Sequence, residues 1–247
     1  MRVDDGVRAV LKRRIGFSTG ALAQGDFRRA LVLLREHRIN VVELSALRIG
    51  ELAPLLSALP DLELQDFQYV SIHAPSRFEP GLEGWVVDCL LPLAERSYPV
   101  IAHPDVLFTP ALWSRMGSQL LIENMDRRKP VGRTARELAP VFKQLPSAQF
   151  CFDIGHARQI DLSMMEAKLM LHAFRDRLAE VHISEVDTAS QHRPISSSVK
   201  AAFRSVAEWI PEEIPVILEA LIDGGQSGIE TEIRRAQEAL DTVSIET

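Results

Sequence analysis

Cysteine is scarce in this chain: Cys89 and Cys151 are the only two in 247 residues. No CxxC pair occurs, so neither a disulfide framework nor a cysteine-rich zinc site is expected. Both sit in apolar surroundings, VVDCLLPL and AQFCFDI, which predicts buried, reduced thiols and a cytoplasmic setting. Aromatic residues are also few, at 6%, leaving little for nucleic-acid bases to stack on. Excess positive charge is missing: the formal net charge is −6, so the chain carries no global footprint for nucleic acid. No apolar run reaches the ~20 residues of a membrane span. The opening stretch, MRVDDGVRAVLKRR, is too charged for a signal peptide, and no low-complexity tract, linker or heptad repeat is present.

What remains is an ordinary globular composition, 46% hydrophobic and 25% charged, able to bury one large core. Short apolar runs rich in Val and Ile fall at 14–19, 40–46, 69–74, 99–104, 120–125, 149–155, 179–185 and 216–221. Near-continuous hydrophobicity of this kind reads as parallel strands covered on both faces. Amphipathic stretches lie between them, at 26–38, 133–145, 164–178 and 227–240. In the first, Phe27, Ala30, Leu31, Leu34 and His37 share a face. Eight strand–helix units in this length predict a single-domain α/β fold over 1–247, a (β/α)8 TIM barrel. The competing open, doubly wound sheet usually begins with a glycine-rich phosphate turn, and STGALAQG after the first strand lacks GxGxxG.

Ionisable residues gather where these strands end. Glu43, His73, His103, Glu123, Asp153 with His156, His182 and Glu219 close strands two to eight, and His192 follows soon after strand seven. Five of the seven histidines are in this set; His37 and His172 lie inside helices and are expected to pack or face solvent. A barrel brings those strand ends to one face, where active sites are built. So many ionisable groups at one mouth are costly unless something pairs with them. Divalent cations do so, and imidazole with carboxylate suits Zn²⁺, Mn²⁺ or Fe²⁺ better than Ca²⁺.

The ordered segments SIHAPS, IAHPD, LLIENM, FDIGHA, EVHISE and ILEA resemble the xylose-isomerase-like TIM-barrel superfamily. That superfamily includes sugar isomerases and epimerases and the class II AP endonucleases of the endonuclease IV type. The resemblance implies two ligand patterns. In the epimerase pattern, one Mn²⁺-like ion is held by Glu123, Asp153, His182 and Glu219. In the endonuclease pattern, His73 and His103 hold a second ion with Glu123 as the bridge, and a third takes His156 and a D-x-H pair. Here that pair reads Ser190-Gln191-His192, so the aspartate is missing and Asp187 or water would have to complete the third site. Two or three ions per chain are implied, Zn²⁺ first, with Mn²⁺ or Fe²⁺ as alternatives.

Two chemistries follow from that resemblance. As a phosphoester hydrolase, the protein would hold two cations about 3.5–4 Å apart across Glu123 and activate a water between them. As an isomerase or epimerase of a sugar or sugar phosphate, it would use one cation, with Glu123 and Glu219 moving a proton at the adjacent carbon and His156 positioning the sugar. His73 and His103 have an obvious role only in the first. Basic residues follow several strand ends: Arg48, Arg77, Arg127, Arg128, Lys129, Arg133, Arg158 and Arg193. On a barrel they would ring the mouth and favour a small anionic substrate, with Glu43, Arg77, Arg127, Arg158 and Arg193 as its expected contacts. Phosphoester hydrolysis is the preferred reading. Nucleic acid is weakly supported, since only Phe78, Trp85 and Phe108 offer rings near the mouth. A metal-binding barrel without catalysis is the third reading.

Overall fold

The computed structural model describes residues 13–222 and 226–241. Seven strands come first: β1 (Ile15–Ser18), β2 (Val41–Ser45), β3 (Tyr69–His73), β4 (Val100–Ala102), β5 (Leu120–Glu123), β6 (Gln149–Asp153) and β7 (Leu178–Ile183). A short antiparallel pair follows, β8 (Glu185–Val186) with β9 (His192–Arg193), and then β10 (Val216–Leu218). β1 to β7 pair in chain order, and β10 sits between β7 and β1, closing an eight-stranded parallel barrel. All eight expected strands are found, each trimmed at its C-terminal end. The opening residues 1–12, and the outer limits of the expected domain, lie outside the described residues.

Helices α1 (Thr19–Ala23), α2 (Phe27–Glu36), α3 (Ile49–Ala58), α4 (Glu83–Glu95), α5 (Pro110–Trp113), α6 (Ala135–Gln144), α7 (Ile154–Ile160), α8 (Met165–Ala173), α9 (Ser197–Arg204) and α10 (Gln226–Leu240) connect them. Side-chain caps start several: Asp26 accepts the Arg29 N–H at 3.0 Å, Thr134 that of Glu137 at 3.2 Å, each satisfying an orphan donor. On α2 the buried face is Ala30, Leu31 and Leu34; Phe27 and His37 are half-buried. No described helix is long and apolar enough to cross a membrane.

Two-residue periodicity splits each strand between two environments. Val70, Ile72, Leu120, Ile122, Phe150, Phe152, Val181 and Ile183 pack into the main apolar core shared with the helices. Burying a side chain such as Phe150 or Phe152 stabilises the fold by roughly 1.5–3 kcal/mol. Their alternates, Ser71, His73, Glu123, Cys151, Asp153, Glu180 and His182, are buried too, but inside the barrel. Among the described residues Ile101, Leu121 and Cys151 form a small apolar cluster of their own, apart from that core. The interior is therefore largely polar, so the strands are less uniformly apolar than their runs suggest. Cys151 is buried as expected, whereas Cys89 is only half-buried. β1 approaches β2 so closely that a Cβ on Gly16 would lie 1.9 Å from the Val41 carbonyl oxygen, which requires glycine there.

Candidate metal centre

The barrel brings the strand-end residues together. Glu123, at the end of β5, is the centre of the arrangement. Its Oε2 faces His73 Nε2 at 3.2 Å and His103 Nε2 at 3.1 Å. Its Oε1 faces His156 Nδ1 at 3.2 Å and His182 Nδ1 at 3.7 Å. Among the described residues one compact group of donor atoms lies deeper in the barrel, Cys151–Glu180–His182, and three lie at the strand ends, each compact enough to hold one ion: His73–His103–Glu123, Glu123–Asp153–His182–Glu219, and Asp153–His156–His192. All eight expected ligands are in the latter three, with Glu123 and Asp153 each shared by two of these.

Backbone contacts set which ring nitrogen is available. His73 Nδ1 donates to the Ala74 carbonyl at 2.8 Å, so in the neutral ring the lone pair is on Nε2, toward Glu123. His156 Nδ1 donates to the Asn124 carbonyl at 2.9 Å, leaving its lone pair on Nε2. Asp153 caps α7 through Oδ1, which accepts the His156 N–H at 2.6 Å. Its other oxygen stays free of the cap. Asn124 clamps β5 to β6: its amide donates to the Asp153 carbonyl and accepts the Asp153 N–H, each at 2.8 Å. The glycine inside FDIGHA has a packing cause, because a Cβ on Gly155 would lie 2.4 Å from the Ser184 carbonyl oxygen.

Several buried polar atoms at these groups have no hydrogen-bond partner: Asp153 Oδ2, His156 Nε2, His182 Nδ1 and Glu219 Oε2. Leaving such atoms unsatisfied costs about 1–3 kcal/mol each, more when charged. A divalent cation would meet them, and the imidazole and carboxylate donor set suits Zn²⁺, Mn²⁺ or Fe²⁺. Protonation answers the same need. Burial opposes charge on His73, but Glu43 and Glu123 lift its pKa to about 9. Burial also opposes it on His156, and Asp153 with Glu123 lifts that ring to about 10. His192 falls to about 4, through burial and the neighbouring His156 charge. Burial pushes the Glu219 carboxyl well up against the pull of His182, with Glu123 and Asp153 adding to the rise. Burial would do the same to Glu123, but the facing histidines, His103 first, hold it well below the usual range.

The groups open onto a cavity of about 300 Å³ lined by His73, His103, Glu123, His156, His192 and Glu219. A wider depression of about 670 Å³ lies beside it, along α1 and α10. It lines none of the three donor groups, so chemistry rather than size singles out the smaller cavity. Two expectations need correcting here. Arg77, Arg127, Arg158 and Arg193 do not line the cavity; its basic residues are Arg128 and Lys129. Arg77 is exposed, Arg127 donates to the Gln159 carbonyl at 3.2 Å, Arg158 is half-buried, and Arg193 pairs with Asp187 at 3.0 Å. Arg128 and Lys129 are themselves paired, with Asp126 and Asp105. Asp187 is the second correction: its carboxylate accepts Ala189 N–H, Gln191 N–H and Arg193 Nε–H within 3.0 Å. It organises the β8–β9 loop and is committed there rather than to a third ion. Ser190 accepts a bond from Gln159 at 2.8 Å, and Asp153 is the carboxylate beside His156 and His192.

Glu43 is fully buried, and its carboxylate lies 3.1 Å from His182 Nε2 inside the barrel without a hydrogen bond to it. Phe78, Trp85 and Phe108 do not line the cavity either. His37 lies 3.9 Å from Glu230, and His172 is exposed near Trp209, both away from the site. Sequence reasoning missed Asn124, Asp126 and Glu180. Glu180 carried a signal: it lies two residues before His182 on one strand, and therefore on the same face.

No family model matches this chain, and neither does any curated protein. Solved structures share its fold. A xylose isomerase-like TIM barrel protein from Mycobacterium smegmatis, solved with magnesium, aligns at TM-score 0.53 and 14% identity, covering 93% of this chain and 98% of that one. A provisionally named aldo-keto reductase from Pseudomonas aeruginosa aligns at TM-score 0.51 and 13% identity, covering 92% and 90%. The chain shares with both the closed (β/α)8 barrel fold.

Proposed function

We propose that this protein is a metal-dependent enzyme that hydrolyses a phosphoester in a small anionic substrate. The observation that carries the reading is the division of Glu123: one oxygen faces His73 and His103, the other faces His156 and His182. A carboxylate shared in this way is suited to bridging two cations. His73 and His103 would complete the first, and Asp153, His182 and Glu219 the second. Two divalent cations there would lower the pKa of a water between them and neutralise charge on phosphate oxygens. Glu219, whose carboxyl burial pushes well up in the metal-free chain, would serve the second cation as a carboxylate. Arg128 and Lys129 on the cavity wall are already paired with Asp126 and Asp105, so the cations themselves would supply the positive charge that favours an anionic substrate. Zn²⁺ is the preferred ion. A third would rest on Asp153, His156 and His192.

The second reading is a single-metal isomerase or epimerase of a sugar or sugar phosphate. Two observations favour it: Glu123, Asp153, His182 and Glu219 form a complete four-donor group by themselves, and the M. smegmatis neighbour is xylose isomerase-like and was solved with magnesium. Glu123 and Glu219 would then exchange the proton at carbon. Elemental analysis of the purified protein separates the two, with at least two ions per chain expected for the hydrolase. A single ion, with His73 and His103 unligated, would select the isomerase. Turnover of small phosphodiesters and abasic-site DNA, against a panel of ketoses, then assigns the substrate.

A further inference from the structure

Beneath the metal groups the barrel interior holds a second polar cluster, with Glu180 at its centre. Glu180 and His182 are fully buried on the same face of β7. The His182 Nε2–H reaches Glu180 Oε1 at 2.8 Å. On the other carboxylate oxygen, the Tyr69 hydroxyl donates to Oε2 at 2.6 Å. The Cys151 thiol lies 3.9 Å from Oε1, brought opposite Glu180 by the β6–β7 register, which shifts between Phe150 and Cys151. Among the described residues the only ion-pair partner of Glu180 is His182.

A buried carboxylate with no lysine or arginine beside it is costly unless its bonds are well made. Here its donors converge from three strands, β3, β6 and β7, and one is a ring whose opposite nitrogen points at the metal groups. His182 Nδ1 lies 3.4 Å from Glu219 and 3.7 Å from Glu123. Glu43 competes for the same ring N–H from 3.1 Å. Glu180 is nearer and takes a second strong donor, whereas Glu43 Oε2 accepts no hydrogen bond.

We propose that Glu180 is a positioning residue. It accepts the Nε2 proton of His182, fixing the tautomer that presents Nδ1 to a cation, and Tyr69 holds Glu180 in place from the floor of the barrel. A carboxylate behind a ligating imidazole both orients the ring and raises its basicity. This inference rests on the metal-site reading above.

The test is titration of the metal-free full-length protein, its E180Q, E180L and Y69F variants, with Co²⁺ and Zn²⁺. Dissociation constants come from chelator competition, and the Co²⁺ visible spectrum reports ligand geometry. Gln keeps an acceptor but loses the charge, so E180Q should bind one class of ion about tenfold more weakly, and E180L approach a hundredfold. Y69F should weaken the same class by a few-fold. The Co²⁺ spectrum should change in all three. Wild-type affinity and spectrum in E180Q would overturn the proposal, even if its melting temperature fell. If E180L does not fold, E180Q and Y69F decide. Weakened binding in E180Q with unchanged binding in Y69F would overturn the part assigned to Tyr69. A wild-type chain that binds no divalent ion would instead overturn the underlying metal reading.

Discussion

At the scale of single residues, the site is a contest between protons and cations for the same lone pairs. His73 and His156, with pKa values of about 9 and 10, carry protons at pH 7 in the metal-free protein. Metal ligation requires the neutral ring. Loading the metal-free protein at pH 7 should therefore release about two protons from these rings. Apparent metal affinity should rise with pH up to about 10, where His156 is half neutral. Calorimetry in buffers of different ionisation enthalpy measures the release, and none at all would contradict the ligand roles. Replacing His73 removes a donor to the first group only. His73→Ala should lose one ion per chain and abolish hydrolysis, with kcat down by at least about 10²–10³, the scale of losing a group that stabilises developing charge. A rise in KM with kcat intact would instead make His73 a substrate contact. The eight expected ligands could be read from sequence because each lies at or just beyond a strand end and barrels collect strand ends. The roles of Asp187 and the arginines could not, since they depend on loop bonds: Asp187 is taken by Ala189, Gln191 and Arg193.

At the scale of elements, FDIGHA shows how a strand, a cap and a helix build a site. Asp153 ends β6 and caps α7, so the same carboxylate starts the helix and faces the metal groups. Gly155 lets the first turn of that helix lie against the end of β7. An added methyl would meet Ser184 O at 2.4 Å and Val186 Cγ2 at 2.8 Å. Because the backbone carbonyl has little room to yield, Gly155→Ala should destabilise the fold by about 1–3 kcal/mol. It should also weaken metal binding, by moving Asp153 and His156 away from His182. Thermal denaturation and metal titration check both, and a variant with unchanged values for each would show that the close approach is relieved at no cost. Sequence periodicity located the strands well but overextended one helix, expected at 164–178 and observed at Met165–Ala173. Phe174 leaves the helix with ψ near 22° and φ near −120° and packs its ring against Phe142 and Phe150. Tertiary packing, which no local pattern contains, ends that helix. The polar interior was equally hidden, because a strand such as AEVHISE reads as apolar until its alternate residues are assigned to opposite faces.

Over the whole molecule, charge is distributed against stability. Five carboxylates, Glu43, Glu123, Asp153, Glu180 and Glu219, converge on the barrel interior and its mouth, in a chain whose net charge is already −6. The main apolar core lies outside the barrel wall, between strands and helices. The barrel can therefore close on that core, while its polar interior depends on what neutralises it. Protonated histidines provide one answer and divalent cations another, and only the cations stay as pH rises through 9 and 10. A ligand that binds the folded chain alone stabilises it by about 4 kcal/mol at a thousandfold excess over its Kd. For a chain of this size each kcal/mol corresponds to about 2–4 °C in Tm. Chelation should therefore lower Tm by roughly 8–16 °C at pH 8. The deficit should grow with pH, because raised histidine pKa values stabilise the metal-free fold fully below about 6.5, the ordinary value for histidine, and lose that contribution through about 9 and 10. Scanning calorimetry of loaded and chelated protein across pH 6 to 10 measures the divergence. Curves that stay superimposed would mean that no cation completes the interior, and the proposed chemistry would lose its foundation.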